Sequence, residues 1–120
     1  KVPLPDLITT KITATKEYSE EFSFDIPFNR FYMSEAPKVG DSLIRVPASS
    51  YLNYLVTNGL VLVSSYIAEN TSKEKEDRVR EIFETQFPNR KIVFINAMPQ
   101  NWDGGGIHCS TQQQPSVKNK

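Results

Sequence analysis

Apolar and polar positions follow two periods along this chain. A stretch with period two gives way to one with period near 3.6, and then back. Residues 1–6 contain Pro3 and Pro5 and suit an extended connection. Residues 7–15 read LITTKITAT, and their β-branched side chains favour a strand. Residues 16–21 are polar and read as a loop or hairpin end. Residues 21–26 alternate as EFSFDI, which places Phe22, Phe24 and Ile26 on one face of a strand that Pro27 ends. Phe28, Phe31, Tyr32 and Met33 follow without a clean period, and most simply pack against a sheet. Residues 34–41 hold Pro37 and Gly40 and read as a loop, and residues 43–46 as a short strand stopped by Pro47.

The second half is more legible. Residues 51–57 and 60–66 are apolar runs joined by Asn58-Gly59. That pair predicts a hairpin, because both residues tolerate the positive φ of a type I′ turn. The near-continuous LVLV at residues 60–63 predicts a strand buried on both faces. Residues 71–87 predict a helix, with Thr71 and Glu74 as a capping box. Val79, Ile82, Phe83 and Phe87 form its apolar stripe. Glu74 with Arg78, and Glu76 with Arg80, are expected as i,i+4 pairs on its wet side. Pro88 stops the helix, and residues 91–97 (KIVFINA) predict a strand. The order strand, strand, helix, strand is one ββαβ unit in an α/β (α+β) chain. Residues 98–106 are expected to form a loop, and the C-terminal residues ending in VKNK a frayed tail.

Composition narrows the partners. The 120 residues fit one ordinary domain, and a hydrophobic content of 38% permits a core. Fourteen basic residues balance fourteen acidic ones, which argues against a nucleic-acid partner. No apolar run approaches the roughly 20 residues of a membrane span, so no membrane partner is expected. One cysteine excludes an internal disulfide framework. One cysteine and one histidine fall short of a four-ligand metal set, so neither a metal nor another cofactor is expected.

Those two residues stand together, in Gly104-Gly105-Gly106-Ile107-His108-Cys109-Ser110-Thr111-Gln112-Gln113-Gln114-Pro115. A free cysteine is often a small inert hydrophobe. Here only Ile107 among the flanking residues is large and apolar, and three glycines let the main chain approach another group closely. From the residues alone, Cys109 is either an inert thiol or a nucleophile. If the backbone is extended there, His108 points away from Cys109 and serves a structural purpose rather than as its base. Asp103, just before the glycines, suits a turn. Asn53, a polar residue in an apolar hairpin, alternates with Tyr51 and Leu55 on one face and needs hydrogen-bond partners.

The string GGGIHCSTQQQP resembles the C-terminal signature of the agmatine deiminases and the related Porphyromonas-type peptidylarginine deiminases. Pro37-Lys-Val-Gly40, Ser50-Tyr51-Leu52-Asn53-Tyr54, Asn58-Gly59 and Phe87-Pro88 fit the same pattern in order. The resemblance covers roughly residues 37–115. Ser110 departs from it, standing where many members carry a larger aliphatic residue, and residues 11–33 match nothing in it.

The resemblance implies a pentein-type α/β propeller of five ββαβ modules, of which this chain supplies about two. Residues 1–46 would be a β-rich partial module, residues 47–115 the module ending in the cysteine motif, and residues 116–120 a tail. It implies hydrolysis of a guanidine to a urea and ammonia, with Cys109 as covalent nucleophile. Asn53 is then either a satisfied structural amide or a substrate-binding group, and Gly105 and Gly106 would admit substrate or offer it backbone groups. The substrate would be agmatine, implying polyamine metabolism and a cytoplasmic enzyme, or peptidyl-arginine, implying citrullination and a secreted one. The aromatic cluster at residues 28–33 would then be a substrate-side lip, and the unmatched segment around residues 22–33 would favour the peptide substrate. The catalytic His-x-Asp motif and the guanidinium-gripping carboxylates are absent here, so the remainder of the same enzyme is the expected partner. A homo-oligomer is a further expected form of assembly. Two other readings stay open: a non-catalytic pentein-derived binding or assembly module, and a Cys–His hydrolase of another type, which the adjacency of His108 and Cys109 disfavours.

Overall fold

A computed structural model describes residues 1–17 and 38–114. The strand expected at residues 21–26, the aromatic cluster from Phe28 to Met33, and the tail at residues 116–120 lie outside the described residues. The chain divides into two compact units, one of residues 1–8 with 47–120 and one of residues 9–46.

The smaller unit contains an antiparallel pair, β1 (Thr10–Thr13) with β2 (Ser42–Arg45). Thr10 faces Arg45 and Thr13 faces Ser42. β1 is shorter than the run predicted at residues 7–15, whereas β2 has the length of the short strand predicted at residues 43–46, one position earlier. Gly40, with φ of 96°, takes the left-handed position leading into β2. Its N–H donates to the Ala14 carbonyl at 2.9 Å.

The larger unit holds β3 (Leu55–Val56), β4 (Leu60–Ser64), α1 (Lys73–Gln86), β5 (Lys91–Ile95) and α2 (Met98–Trp102). A 3-10 turn at Ile67–Glu69 leads from β4 to α1. The sheet order is β3-β4-β5, with β3 antiparallel and β5 parallel to β4. The observed architecture is therefore mixed α/β with small sheets, and its ββαβ order is the one the periodicity predicts.

Alternation along β4 assigns the two faces of the sheet. Val61 and Val63, both fully buried, join Ile92 of β5 and Val79 and Phe83 of α1 in the main core. Each such buried side chain contributes about 1.5–3 kcal/mol. Tyr54 closes one end of this core, edge-on to Phe83 with ring centroids 4.9 Å apart. Leu62 faces the other way and packs with Leu55, Ala97 and Ile107. The second face of the sheet is thus where the cysteine loop attaches.

Several local expectations are corrected. The first hairpin strand begins only at Leu55, and residues 51–53 form a turn. Tyr51 and Leu55 consequently fall in different apolar clusters, rather than on one face. Among the described residues only Asn70 and three glycines have positive φ, so Gly59 (85°) is left-handed and Asn58 is not. That excludes the type I′ turn, which needs both. The helix cap is Ser72, whose Oγ accepts from Lys75 N–H at 3.3 Å. Thr71 Oγ1 instead accepts from Asp6 N–H at 3.1 Å. Glu76 is buried, not on the wet side. It precedes Val79 by three positions and Phe83 by seven, so the apolar stripe runs through it. The Arg80 guanidinium donates to the Ile92 carbonyl and lies over the Phe94 ring at 4.5 Å. The i,i+4 ion pair found on the exposed side is Lys73 with Asp77. Residues 98–102, expected as loop, form α2, with Pro99 in its first turn, where a missing N–H costs nothing.

Candidate functional site

The candidate site is assembled from three segments of the larger unit: the turn at residues 50–53, α2, and the loop at residues 103–111. Each is fixed by buried polar groups.

The turn is anchored from beneath. Tyr66 is fully buried, and its hydroxyl accepts from Ser50 N–H at 2.8 Å and donates to the Ser50 carbonyl at 3.3 Å. Tyr51 packs edge-on against the Tyr66 ring, with centroids 5.2 Å apart. Glu76 holds the arrangement together. Its carboxylate accepts from Ser65 Oγ at 2.8 Å, from Tyr66 N–H at 3.0 Å and from Tyr51 hydroxyl at 3.5 Å. Burial, then the nearby Glu76 charge, raises the Tyr51 phenol well above its ordinary value. The turn therefore leaves the core with Asn53 directed at the cysteine loop.

α2 fixes the other side. Asn101 is fully buried, and its amide nitrogen donates to the Ala48 carbonyl at 3.1 Å and to the Gly105 carbonyl at 2.8 Å. Gly105 N–H donates to Gln100 carbonyl at 3.0 Å. Gly104, with φ of 88°, follows the helix end in the left-handed conformation that glycine suits. Asp103 lies in this turn, exposed, as the sequence implies. Asn101 was missed by sequence reasoning; a single amide in an apparent loop gives no signal until the loop proves to be a helix.

The loop itself is a compact turn rather than an extended strand. Ser110 N–H and Oγ both donate to the Gly106 carbonyl, at 3.1 and 2.9 Å. Thr111 N–H donates to the His108 carbonyl at 3.2 Å. Alternation between His108 and Cys109 therefore does not apply. The His108 side chain lines a surface groove of about 390 Å³ with Leu52, Tyr54, Val56 and Gln113. Ile107 is the loop's apolar anchor, buried against Leu55 and Ala97.

Asn53 and Cys109 meet at the centre of this arrangement. Asn53 Oδ1 accepts from His108 N–H at 2.8 Å and from Cys109 N–H at 3.3 Å. With the oxygen so committed, Nδ2 points to Cys109 Sγ at 3.1 Å. An N–H directed at sulfur suits a thiolate, the nucleophilic form of cysteine. Cys109 is exposed rather than buried in the core. The space beside the two glycines is taken by Cys109 and by Asn53 of the turn. A Cβ on Gly105 would lie 3.2 Å from Cys109 Cβ. A Cβ on Gly106 would lie 2.6 Å from Asn53 Cγ and 2.7 Å from Nδ2. Both carbonyls, and the Gly105 N–H, are already bonded within the protein. The four candidate residues are thus brought together, and Asn53 touches the cysteine loop directly. Among the described residues, no cluster of three or more His, Cys, Asp or Glu side chains forms a metal site.

Known proteins share this segment. The family model of the Porphyromonas-type peptidyl-arginine deiminases matches residues 8–115. A relative from Lactococcus lactis, provisionally named an agmatine deiminase, is 43% identical over 70 residues, which cover 58% of this chain and 18% of the relative. The agmatine deiminase of Pseudomonas aeruginosa is 34% identical over 84 residues, covering 70% of this chain and 21% of that protein. The solved structure of the agmatine deiminase of Enterococcus faecalis catalysing its reaction superposes with a TM-score of 0.51 at 34% identity, over 68% of this chain and 20% of that one. The chain spans about a fifth of the length of these relatives. With the family model matched over most of its length, the chain belongs to the Porphyromonas-type peptidyl-arginine deiminase family.

Proposed function

We propose that this chain is the cysteine-bearing segment of a guanidine deiminase, with Cys109 as its nucleophile. The observation that carries the proposal is the exposed Cys109 thiol within a hydrogen-bonded loop, with an amide N–H 3.1 Å from its sulfur. Family membership supplies the reaction class.

The chemistry follows from the guanidinium ion, which is planar, cationic and a poor electrophile. The Cys109 thiolate attacks the guanidinium carbon and forms a C–S bond. A general acid protonates one nitrogen, which leaves as ammonia when its C–N bond breaks. The cationic amidino thioether that remains is attacked by water, whose proton returns to the acid. Collapse of that adduct breaks the C–S bond, regenerates the thiolate and yields a substituted urea; the proton released goes to ammonia. Dividing the hydrolysis this way replaces one difficult step with two easier ones. Carboxylates that grip the guanidinium fork, and the general acid, belong in this proposal to the remainder of the enzyme.

Agmatine is the substrate favoured by the names of the relatives, which also disfavour a non-catalytic binding module. The parent fold in this reading is a five-module pentein propeller, with this chain near its C-terminal end. Gly105 and Gly106 serve it by letting the loop close tightly around Cys109 and Asn53. In the complete enzyme, Cys109→Ala is expected to abolish ammonia release from agmatine and from peptidyl-arginine. Turnover retained by that variant would show that the nucleophile lies elsewhere.

A further inference from the structure

We infer that Asn101 is a positioning residue for Cys109: its buried amide fixes the main chain of Gly105, on which the Cys109 side chain rests. The inference rests on Cys109 being the nucleophile.

Asn101 joins α2 to two other segments. It is fully buried, and its Nδ2 donates to the Ala48 carbonyl at 3.1 Å and to the Gly105 carbonyl at 2.8 Å. An amide nitrogen carries two hydrogens, so both are engaged on main-chain oxygens. The Asn101 main chain repeats the connection. Its carbonyl accepts from Ala48 N–H at 3.0 Å and from Gly104 N–H at 3.2 Å, and its N–H donates to the Ala97 carbonyl at 3.0 Å. Ala48 stands two residues before Ser50, which the Tyr66 hydroxyl holds. One buried residue thus ties the approach to the turn, α2 and the glycine run together. Packing alone would be served as well by leucine, which has the same branching and no donor.

Gly105 transmits this anchoring to Cys109. Both of its main-chain groups are held by consecutive residues of α2: its N–H donates to the Gln100 carbonyl at 3.0 Å, and its carbonyl accepts from Asn101. Unlike Gly104, Gly105 is not left-handed, so its conformation does not require glycine. Proximity does. A Cβ there would lie 3.2 Å from Cys109 Cβ, tighter than the ordinary contact that begins at 3.4 Å. The side chain that carries the sulfur therefore rests on main chain whose orientation Asn101 sets. A shift of about 1 Å here would carry the sulfur off its line of attack, and a misplacement of that size can cost about 100-fold in rate.

The test uses the complete enzyme. Asn101→Leu keeps the branching of the side chain and removes both donors. Amide exchange at Gly105 is expected to speed up. The kcat for agmatine or peptidyl-arginine is expected to fall on the order of tenfold, with KM within about twofold. Alkylation of Cys109 by iodoacetamide at neutral pH is followed on its peptide by mass spectrometry. This small reagent needs no fixed line of approach, so its rate is expected to stay within about twofold. That split separates positioning from a general loss of structure, which would move alkylation together with kcat. Gly105→Ala leaves the Asn101 donors in place and crowds Cys109 Cβ; it should show the same split in kcat and alkylation, and serves if Asn101→Leu does not fold. Unchanged kcat in the folded variant would overturn the inference. So would a raised KM at unchanged kcat, or alkylation that changes in step with kcat. Failure of the underlying proposal is distinguishable, since it appears as turnover in Cys109→Ala.

Discussion

Tyr51 and Glu76 explain how a turn with little regular structure holds the cysteine loop in place. Glu76 is buried among donors, and Tyr51 has its phenol against that carboxylate. The unfolded phenol ionises near pH 10, about the ordinary tyrosine value. The folded phenol, kept neutral by burial, ionises above that. Above pH 10 the unfolded chain therefore binds fewer protons than the folded one, and stability falls as pH rises. Its contribution is fully present below pH 10. Urea unfolding followed across alkaline pH is expected to show this decline, and Tyr51→Phe is expected to flatten it. A decline of equal slope in the variant would show that Tyr51 is not its source. The participants were visible in the sequence, but their roles were not. Asn53 stood out as a polar residue in an apolar stretch, and Cys109 by its glycines. Glu76 was concealed among the many charges of α1, although its spacing from Val79 and Phe83 was the available signal.

The elements of the larger unit were legible where they are long. α1 and the strands on either side of it follow from an apolar stripe and two apolar runs, and boundaries were the weak point. Thr71 and Ser72 are adjacent hydroxyls, and either can cap a helix. Tertiary structure decides between them, because residues 1–8 arrive beside α1 and occupy Thr71. Asp6 N–H takes the Thr71 hydroxyl, while the Asp6 carboxylate meets Lys75 and accepts from Ser72 N–H at 3.4 Å. The Lys75 hydrogen bond holds the Asp6 carboxyl below its usual range. Ser72→Ala is expected to cost about 1 kcal/mol of stability and to speed amide exchange at Lys75. Thr71→Ala is expected to speed exchange at Asp6 and leave Lys75 protected. The opposite assignment of the two effects would contradict the cap described here. α2 was not legible, because Pro99 and Gly104 read as breakers when they mark only its first turn and the residue after its end.

At the scale of the molecule, the sheet has one face sealed by α1 and another carrying the cysteine loop through Ile107. That division gives the loop a rigid foundation and leaves Cys109 exposed. The chain is about a fifth of its relatives' length, so the proposed activity belongs to the complete enzyme. The central claim is that Cys109 carries a covalent intermediate. The measurement is rapid quenching of the complete enzyme in turnover with agmatine, followed by peptide mass spectrometry. The account predicts an adduct on the peptide containing Cys109 with the mass of the guanidine substrate less ammonia. Steady turnover with Cys109 unmodified, or the same adduct on another residue, would contradict it.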